Sequence, residues 1–389
     1  MRLARPLLAL TVMGSLVTGG AALATPARTG AAHQPHAFAR FHSVGAKSDS
    51  PLTPPAPPCP IPAGLPVGPC ASLPELPGTG LPLPGNMAYW GGRVQVHPKT
   101  YLVYFGWGRP GAFTHGCGGP VALIERRVRA TLTCDPDGAG KRMADFVSQL
   151  GGTPWAGVQS QYYQVVNGVR TSIANDPDQL GGIWVDDLNP ISANVTQRDL
   201  AIEAERAVQH FKVTAKDLIN ANFVIAQPQS FSPAGPCGWH DYIRPDVDPG
   251  NYHDMQPNVA FTNMPYVLNQ GTSCGQNLVN AGAAGKLDAF TIVLGHEIEE
   301  TVTDPGAELW AGQTALGGWY DPFDGDENGD KCAYVGKNPL TYDNVPSFPG
   351  RAANITGNRG GLFPVQSLWS NNAADGIGYC AGAGTDLPL

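Results

Sequence analysis

One segment, residues 288–305, constrains the fold of this 389-residue chain more than any other. Its first half is apolar at helical spacing, and its second half carries a histidine and three glutamates, His296, Glu297, Glu299 and Glu300. The apolar half predicts a helix that lies close to the core. Three like charges within one turn are destabilising unless a cation compensates them. The segment therefore predicts a packed helix whose carboxylates are compensated by a cation.

The histidine and the glutamates have the spacing of a metal-binding helix. Residues four apart lie on one face of a helix, so His296 and Glu300 can bind one metal ion. Glu297 lies about 100° further around the helix and can act as general base toward a metal-bound water. The pattern nearly matches the helix signature of zinc peptidases, with Glu300 where a second histidine would stand. An amphipathic helix with solvent-facing acids is the alternative interpretation.

A second acidic run follows between residues 319 and 332. Its alternating oxygen-bearing side chains are like the first half of a calcium loop and belong to Asp324, Asp326, Asn328 and Asp330. The bidentate glutamate that would complete such a loop is absent, because Val335 stands at that position. The sequence therefore excludes a full EF-hand. A separate calcium site and a solvated acidic turn both stay open as interpretations.

The same run can also complete the metal site on the helix. Glu327 or Asp330 is the predicted third ligand, and Asp304, one turn beyond Glu300, is a rival. One imidazole with carboxylates is poorer in nitrogen than the usual catalytic zinc set of two histidines and one glutamate. Zinc is the expected metal, while an oxygen-rich site also suits manganese or calcium.

Two residues outside the helix are candidates for contact with the reacting group. His240 follows Cys237 closely and is a candidate ligand or donor to a transition state, although packing beside a disulfide and Trp239 is the favoured interpretation. Tyr320 is the other candidate donor that would stabilise an oxyanion.

The first 24 residues have the form of a secretory signal peptide, with a basic start, an apolar run and Ala-Leu-Ala at 22–24. Residues 25–86 are rich in proline and predict a linker or a propeptide, and residues 87–389 predict one domain. No basic cluster follows residue 24, which argues against nucleic acid and membranes as partners. We therefore expect a secreted, monomeric protein whose partner is a protein or peptide substrate.

All eight cysteines lie after the predicted signal peptide. In an exported protein this pattern predicts disulfides rather than a zinc–thiolate site. We predict sequential pairing, as Cys59–Cys70, Cys117–Cys134, Cys237–Cys274 and Cys332–Cys380.

Apolar patterning predicts a mixed α+β domain. Strands are predicted at residues 101–105, 182–186 and 222–226. Helices are predicted at residues 121–132 and 141–150, and after the capping residues Thr196 and Asp199. The segment after residue 305 is rich in glycine and is expected to be mostly loop.

Several motifs resemble those of a known family. The helix sequence His-Glu-x-x-Glu-x-x-Thr-Asp-Pro is followed by Gly-Trp-Tyr-Asp and by Glu-Asn-Gly-Asp-Lys-Cys-Ala. Supporting motifs are Val-Gln-Val-His at 94–97, Tyr-Leu-Val-Tyr-Phe at 101–105, Cys-Gly-Trp-His at 237–240, Ser-Cys-Gly-x-Asn at 273–277 and Val-Gln-Ser-Leu-Trp-Ser-Asn at 365–371. From Trp90 onward the chain thus resembles secreted, zincin-like bacterial and fungal proteins, which are distantly similar to the plant phosphate-induced, exordium-like proteins.

The resemblance implies an exported metallopeptidase with a zincin-like fold and an active-site helix. By position it makes His296 and Glu300 ligands and Glu297 the base, with Glu327 or Asp330 as the third ligand. We therefore expect a zinc-dependent endopeptidase that hydrolyses peptide bonds. The alternative is a non-catalytic extracellular or cell-wall-associated protein with a structural calcium site. A metal-dependent hydrolase of a non-peptide bond, such as an ester, is a third hypothesis.

Overall fold

The computed structural model describes residues 85–117, 119–125, 128–232, 235–246, 248–305, 317–321, 326–333, 351–376 and 378–383. The predicted signal peptide, the predicted Cys59–Cys70 disulfide and all but the last two residues of the predicted proline-rich segment lie outside these ranges. Among the helices within them, none is long and apolar enough to cross a membrane.

The described ranges contain both helices and sheets, consistent with the predicted α+β class. The strands are β1 (Ala88–Tyr89), β2 (Lys99–Phe105), β3 (Val121–Glu125), β4 (Val128–Leu132), β5 (Tyr163–Val166), β6 (Val169–Ser172), β7 (Leu180–Asp186), β8 (Ala221–Ala226), β9 (Trp239–Tyr242), β10 (Ala260–Met264), β11 (Trp319–Tyr320), β12 (Ala352–Thr356), β13 (Leu362–Gln366), β14 (Leu368–Ser370) and β15 (Tyr379–Ala381). The α-helices are α1 (Ala139–Leu150), α2 (Gln197–Phe211), α3 (Ala215–Leu218), α4 (Pro249–Tyr252) and α5 (Asp288–Thr303). Short 3-10 helices lie at Ala156–Gln161, Gln229–Phe231, Val267–Asn269, Gly271–Cys274, Gly282–Gly285 and Asp330–Cys332.

A five-stranded sheet with the order β7-β2-β8-β10-β9 lies at the centre. The first four strands are parallel to one another, and β9 pairs antiparallel with β10 at the edge. Every residue of β8 is buried, as expected for a parallel strand covered on both faces. The strands predicted at 101–105, 182–186 and 222–226 are confirmed as β2, β7 and β8.

Helices cover both faces of this sheet. Leu102 and Tyr104 of β2 belong to a core shared with α1 and α5, while Val103 and Phe105 belong to a core shared with α2. Side chains alternate across a strand, so each strand supplies residues to both cores. The edge strand β9 therefore also has one face toward α5 and one toward α2.

The predicted helix after Thr196 is confirmed as α2, and its start is a capping box. The side chain of Thr196 accepts a hydrogen bond from the backbone N–H of Asp199, and Asp199 Oδ2 accepts one from the backbone N–H of Thr196. The helix predicted at 141–150 is confirmed as α1.

The predicted helix at 121–132 is wrong, because this segment is the hairpin of β3 and β4. Val121 pairs with Leu132 in antiparallel register, and the Cys117–Cys134 disulfide joins the two ends of the hairpin. The β-branched residues of this segment favour strands, and the disulfide holds the two strand ends together. Apolar spacing over so short a segment fits a helix and a strand equally well.

The segment after residue 305 contains more strand than predicted. In the described ranges it includes β11 and two hairpins, formed by β12 with β13 and by β14 with β15. Strand β13 packs against α5 and brings Gln366 next to the helix. Disulfides Cys237–Cys274 and Cys332–Cys380 are also confirmed.

Candidate metal centre

Helix α5 is buried along its whole length. All sixteen of its residues, including the histidine and the glutamates of its second half, are buried. Strands β9 and β10 pack against it, as do β13 and the 3-10 helix Ala156–Gln161. Buried carboxylates are strongly unfavourable unless they are paired or bound to a metal. The chemistry of this helix is therefore set by what neutralises Glu297, Glu299 and Glu300.

The structure brings together His296 and Glu300, as their spacing predicts. Nε2 of His296 lies 3.1 Å from Oε1 of Glu300, and Oδ1 of Asp330 lies 3.5 Å from the same nitrogen. The backbone N–H of Asp330 donates a hydrogen bond to Glu300 Oε1 at 2.9 Å. The acidic loop thus reaches the helix at the predicted pair.

A glycine lets the loop approach this closely. A Cβ atom on Gly329 would lie 2.8 Å from Nδ1 of His296 and 2.9 Å from Oε1 of Glu300, so a side chain does not fit there. The Gly329 carbonyl also accepts a hydrogen bond from Nε2 of Gln366 at 2.7 Å.

Gln366 is a site residue whose role the sequence patterns do not predict. Its Oε1 lies 3.2 Å from Nδ1 of His296. A proton on Nδ1 donated to this oxygen leaves the lone pair on Nε2, the nitrogen that faces Glu300 and Asp330. The sequence signal that could have identified Gln366 is the Val-Gln-Ser-Leu-Trp motif at 365–369. That motif supported the family resemblance but did not indicate a chemical role for the glutamine.

His240 faces the same site from the edge strand. Its Nδ1 lies 3.4 Å from Oε2 of Glu297 and 3.6 Å from Oε2 of Glu300. Its Nε2 lies 3.5 Å from Oε2 of Glu327. The favoured interpretation from sequence, packing beside a disulfide and Trp239, does not describe this position, since Trp239 belongs to the core on the α2 face.

These side chains form two groups with the spacing of metal ligands. One group is His296, Glu297 and Glu300, and the other is His240, Glu300 and Glu327. Glu297 Oε1 and Glu300 Oε2 are buried and have no hydrogen-bond partner in the described part of the chain. Buried oxygens in that state fit ligation of a cation, so the residues present could hold a metal ion.

The pKa values of the cluster show how strongly its charges interact. Burial raises the pKa of Glu297 to about 7, although the two histidines lower it. Burial also opposes ionisation of Glu300, but the His296 and His240 side chains outweigh it and hold the pKa of Glu300 below its usual value. Burial lowers the pKa of each histidine, and the surrounding carboxylates more than reverse this effect. A divalent cation would take over the charge that imidazolium protons otherwise supply.

Glu299 has different surroundings from the other two glutamates of the helix. Burial raises its pKa to about 8, and the Gln159 amide, which lies beside it, opposes this rise. The amide nitrogen of Asn328 donates to Oε1 of Gln159 at 2.8 Å and approaches the backbone carbonyl of Glu299 at 3.4 Å. Asn328, a candidate for a separate calcium site, thus anchors the acidic loop to the helix. Among the other candidates, Asp326 accepts a backbone hydrogen bond from Asp321, and Asp324 lies outside the described residues.

Asp304 and Tyr320 flank the cluster. Oδ1 of Asp304 accepts a hydrogen bond from the backbone N–H of Gly318 at 2.9 Å, and Asp304 belongs to neither ligand group. The Tyr320 ring stacks on Trp90 with 4.5 Å between centroids. Burial and the charges of Asp304 and Glu327 raise the pKa of Tyr320, so its phenol stays protonated and able to donate.

Two disulfides lie beside the segments that bring residues to α5. Cys237–Cys274 is three residues before His240 in β9, and Cys332–Cys380 is two residues after Asp330 in the acidic loop. Cross-links close to these segments restrict their movement relative to the helix.

Comparison of the chain with models of protein families, with curated proteins and with solved structures gave no match.

Proposed function

We propose that this protein is an exported, metal-dependent hydrolase, and specifically a zinc endopeptidase with a zincin-like fold. The observation that carries the proposal is the position of Glu297 beside the pair of His296 and Glu300. Glu297 is completely buried, its Oε1 has no hydrogen-bond partner in the described residues, and its pKa is raised to about 7. A carboxylate with these properties is suited to take up and release a proton at neutral pH.

The proposed ligands are His296 and Glu300, completed by Asp330 or Glu327 from the acidic loop. A zinc ion bound there supplies a Lewis acid that polarises a carbonyl group and lowers the pKa of a bound water. Gln366 orients the imidazole of His296 through Nδ1, which is a common device around metal-bound histidines.

Glu297 takes the proton of the attacking water and passes it to the leaving amine. Tyr320 donates its phenolic hydrogen to the developing oxyanion, a role that its raised pKa favours because the phenol keeps its proton. The more exposed side chains of the cluster are Asp330, at 16%, and His240, at 7%. We therefore place the approach of substrate on the side of the site formed by β9 and the acidic loop.

Export is part of the proposal. The three described disulfides fit an oxidising, extracellular environment. The partner is a protein or peptide substrate.

The test compares two glutamates of the same helix turn. Glu297→Gln is expected to lower casein hydrolysis by about 10²–10⁴-fold, the usual contribution of a general base, while metal content equals that of the parent protein. Glu299→Gln is the matched control, because Glu299 is equally buried but lies beside Gln159, and this variant is expected to stay active. Full activity of Glu297→Gln would show that the assigned mechanism is wrong.

The complete burial of Glu297 and Glu300 and the oxygen-rich donor set favour a second candidate function. In this alternative the protein is a non-catalytic extracellular protein, and the cluster holds a structural calcium ion. Removal of calcium would then lower thermal stability, and no metal added back would give casein cleavage. Parallel assays with ester substrates separate a third type of protein, an esterase, from the peptidase.

A further inference from the structure

The two oxygens of Glu300 face two different histidines. Oε1 lies 3.1 Å from Nε2 of His296, and Oε2 lies 3.6 Å from Nδ1 of His240. Glu300 is completely buried, and its Oε2 has no hydrogen-bond partner in the described part of the chain. A carboxylate directed to opposite sides in this way is placed to bridge two cations.

The group around His240 is complete enough to bind a cation by itself. His240, Glu300 and Glu327 each offer a ligand atom, and these atoms lie within 4.8 Å of one another. Ligand atoms at about 2.1 Å from one ion lie roughly 3–4 Å apart, and the 3.5 Å between Nε2 of His240 and Oε2 of Glu327 fits this spacing. Neither of the two ligand groups contains both histidines.

The charge of the cluster also favours a second cation. Four carboxylates surround the two imidazoles, on Glu297, Glu300, Glu327 and Asp330. In the described part of the chain, no lysine or arginine forms an ion pair with Glu297 or Glu300. A divalent cation beside each histidine would compensate the charge of these two buried carboxylates.

We propose that the site binds two divalent cations bridged by Glu300. The first ion is held by His296 with Asp330, and the second is held by His240 with Glu327. This inference rests on the metal centre of the proposed function and adds a second ion to it. Paired ions about 3.5–4 Å apart stabilise both the attacking and the leaving oxygen in hydrolytic sites.

The test is a metal count on the full exported chain. The protein is stripped with a chelator, titrated separately with Mn²⁺ and with Zn²⁺, and passed through gel filtration before elemental analysis. We expect two ions per chain with each metal, and a spin-coupled spectrum from the Mn²⁺ form in electron paramagnetic resonance. Saturation at one ion per chain with both metals would overturn the proposal.

Variants identify which residues hold the second ion. Glu327→Gln is expected to lower the count from two ions to one, and Glu300→Gln is expected to abolish the spin-coupled signal. Glu299→Gln is the buried control and should keep two ions. His240→Gln tests the same site if Glu327→Gln does not fold. Retention of two ions by a folded Glu327→Gln or His240→Gln variant contradicts the assignment.

The result is separable from the proposed hydrolase activity. Casein cleavage by a protein that holds only one ion would support the proposed function and reject the second ion. Two spin-coupled ions in a protein that cleaves no peptide would support the second ion and reject the peptidase.

Discussion

Buried acids lie on both faces of the five-stranded sheet, and the two faces neutralise them in different ways. On the α2 face, Asp241 pairs with Arg244 and accepts a hydrogen bond from the Tyr252 hydroxyl at 2.7 Å. On the α5 face, the charged partners of Glu297 and Glu300 among the described residues are histidines. The acids on the α2 face are neutralised by the permanent charge of an arginine. The acids on the α5 face are neutralised by histidines, which can release a proton and bind a metal ion instead.

A second pair of acids on the α2 side, Glu203 and Asp186, shows the same difference between the two faces. Burial and the neighbouring Asp186 raise the pKa of Glu203 to about 8, while Arg206 lies 3.0 Å from Glu203. The hydrogen bond from protonated Glu203 in turn contributes to the lowered pKa of Asp186. This pair is neutralised by one shared proton and one arginine, with no need of a metal. Buried acids alone therefore do not indicate a metal site, whereas acids that have ligand spacing with a histidine do.

The largest expected effect is on the α2 face. Arg244→Leu leaves the charge of Asp241 buried without its cation and is expected to lower the free energy of unfolding by about 3–5 kcal/mol. Urea unfolding of the chelator-treated protein measures this loss of unfolding free energy. Arg206→Leu is the control and should have a smaller effect, because Glu203 can stay protonated. Equal losses for the two variants would contradict the view that Arg244 is the essential counter-charge.

The next largest effect is the stabilisation of the protein by metal binding at the α5 face. Saturation with zinc at a hundred times its dissociation constant should raise the free energy of unfolding by about 2.7 kcal/mol per independent site. Thermal unfolding with and without chelator measures this difference. An unfolding temperature that does not respond to metal would mean that the α5 face, like the α2 face, is neutralised by the chain itself.

A smaller effect distinguishes two glutamates of α5. At pH 8 the metal-free protein has Glu297 above its pKa of about 7, so Glu297→Gln removes a buried charge and should raise the free energy of unfolding. Bound metal compensates the same charge, so the gain should disappear in the metal-loaded protein. Glu299→Gln should give a gain that does not depend on metal. A metal-independent gain for Glu297→Gln would place Glu297 outside the metal centre.

The last effect, and the smallest when it is taken per pH unit, is the pH dependence contributed by Glu203. Its pKa is raised from 4.5 to about 8 on folding, so the folded state holds a proton that the unfolded state has released in this window. Stability therefore falls as pH rises from 4.5 to 8, by at most about 1.4 kcal/mol per pH unit from this group. Glu203→Gln should reduce that slope in unfolding measured at several pH values. An unchanged slope would show that Glu203 is ionised in the folded protein.

Local sequence patterns predicted the parts of the fold that depend on local physics. The capping box at Thr196 and the fully buried strand β8 are of this kind. The approach of His296 to Glu300 also follows from helix spacing, because residues four apart share a face. The three described disulfides follow sequential pairing, which joins cysteines that are close along the chain.

Contacts between distant segments were beyond sequence reasoning. His240 reaches the cluster because strand alternation on the sheet edge turns it toward α5, and its sequence neighbours give no sign of that direction. Gln366 contacts His296 across seventy positions of the chain. The hairpin of β3 and β4 was mistaken for a helix because its disulfide and its pairing partner are tertiary information.

The most direct measurement is the zinc retained by the purified protein after gel filtration. The account predicts at least one zinc per chain in the parent protein and in Glu203→Gln, a buried-acid variant from the α2 face. It predicts loss of zinc in His296→Ala and Glu300→Gln. A parent protein that retains no divalent metal, or a Glu300→Gln variant that retains as much as the parent, would contradict the account.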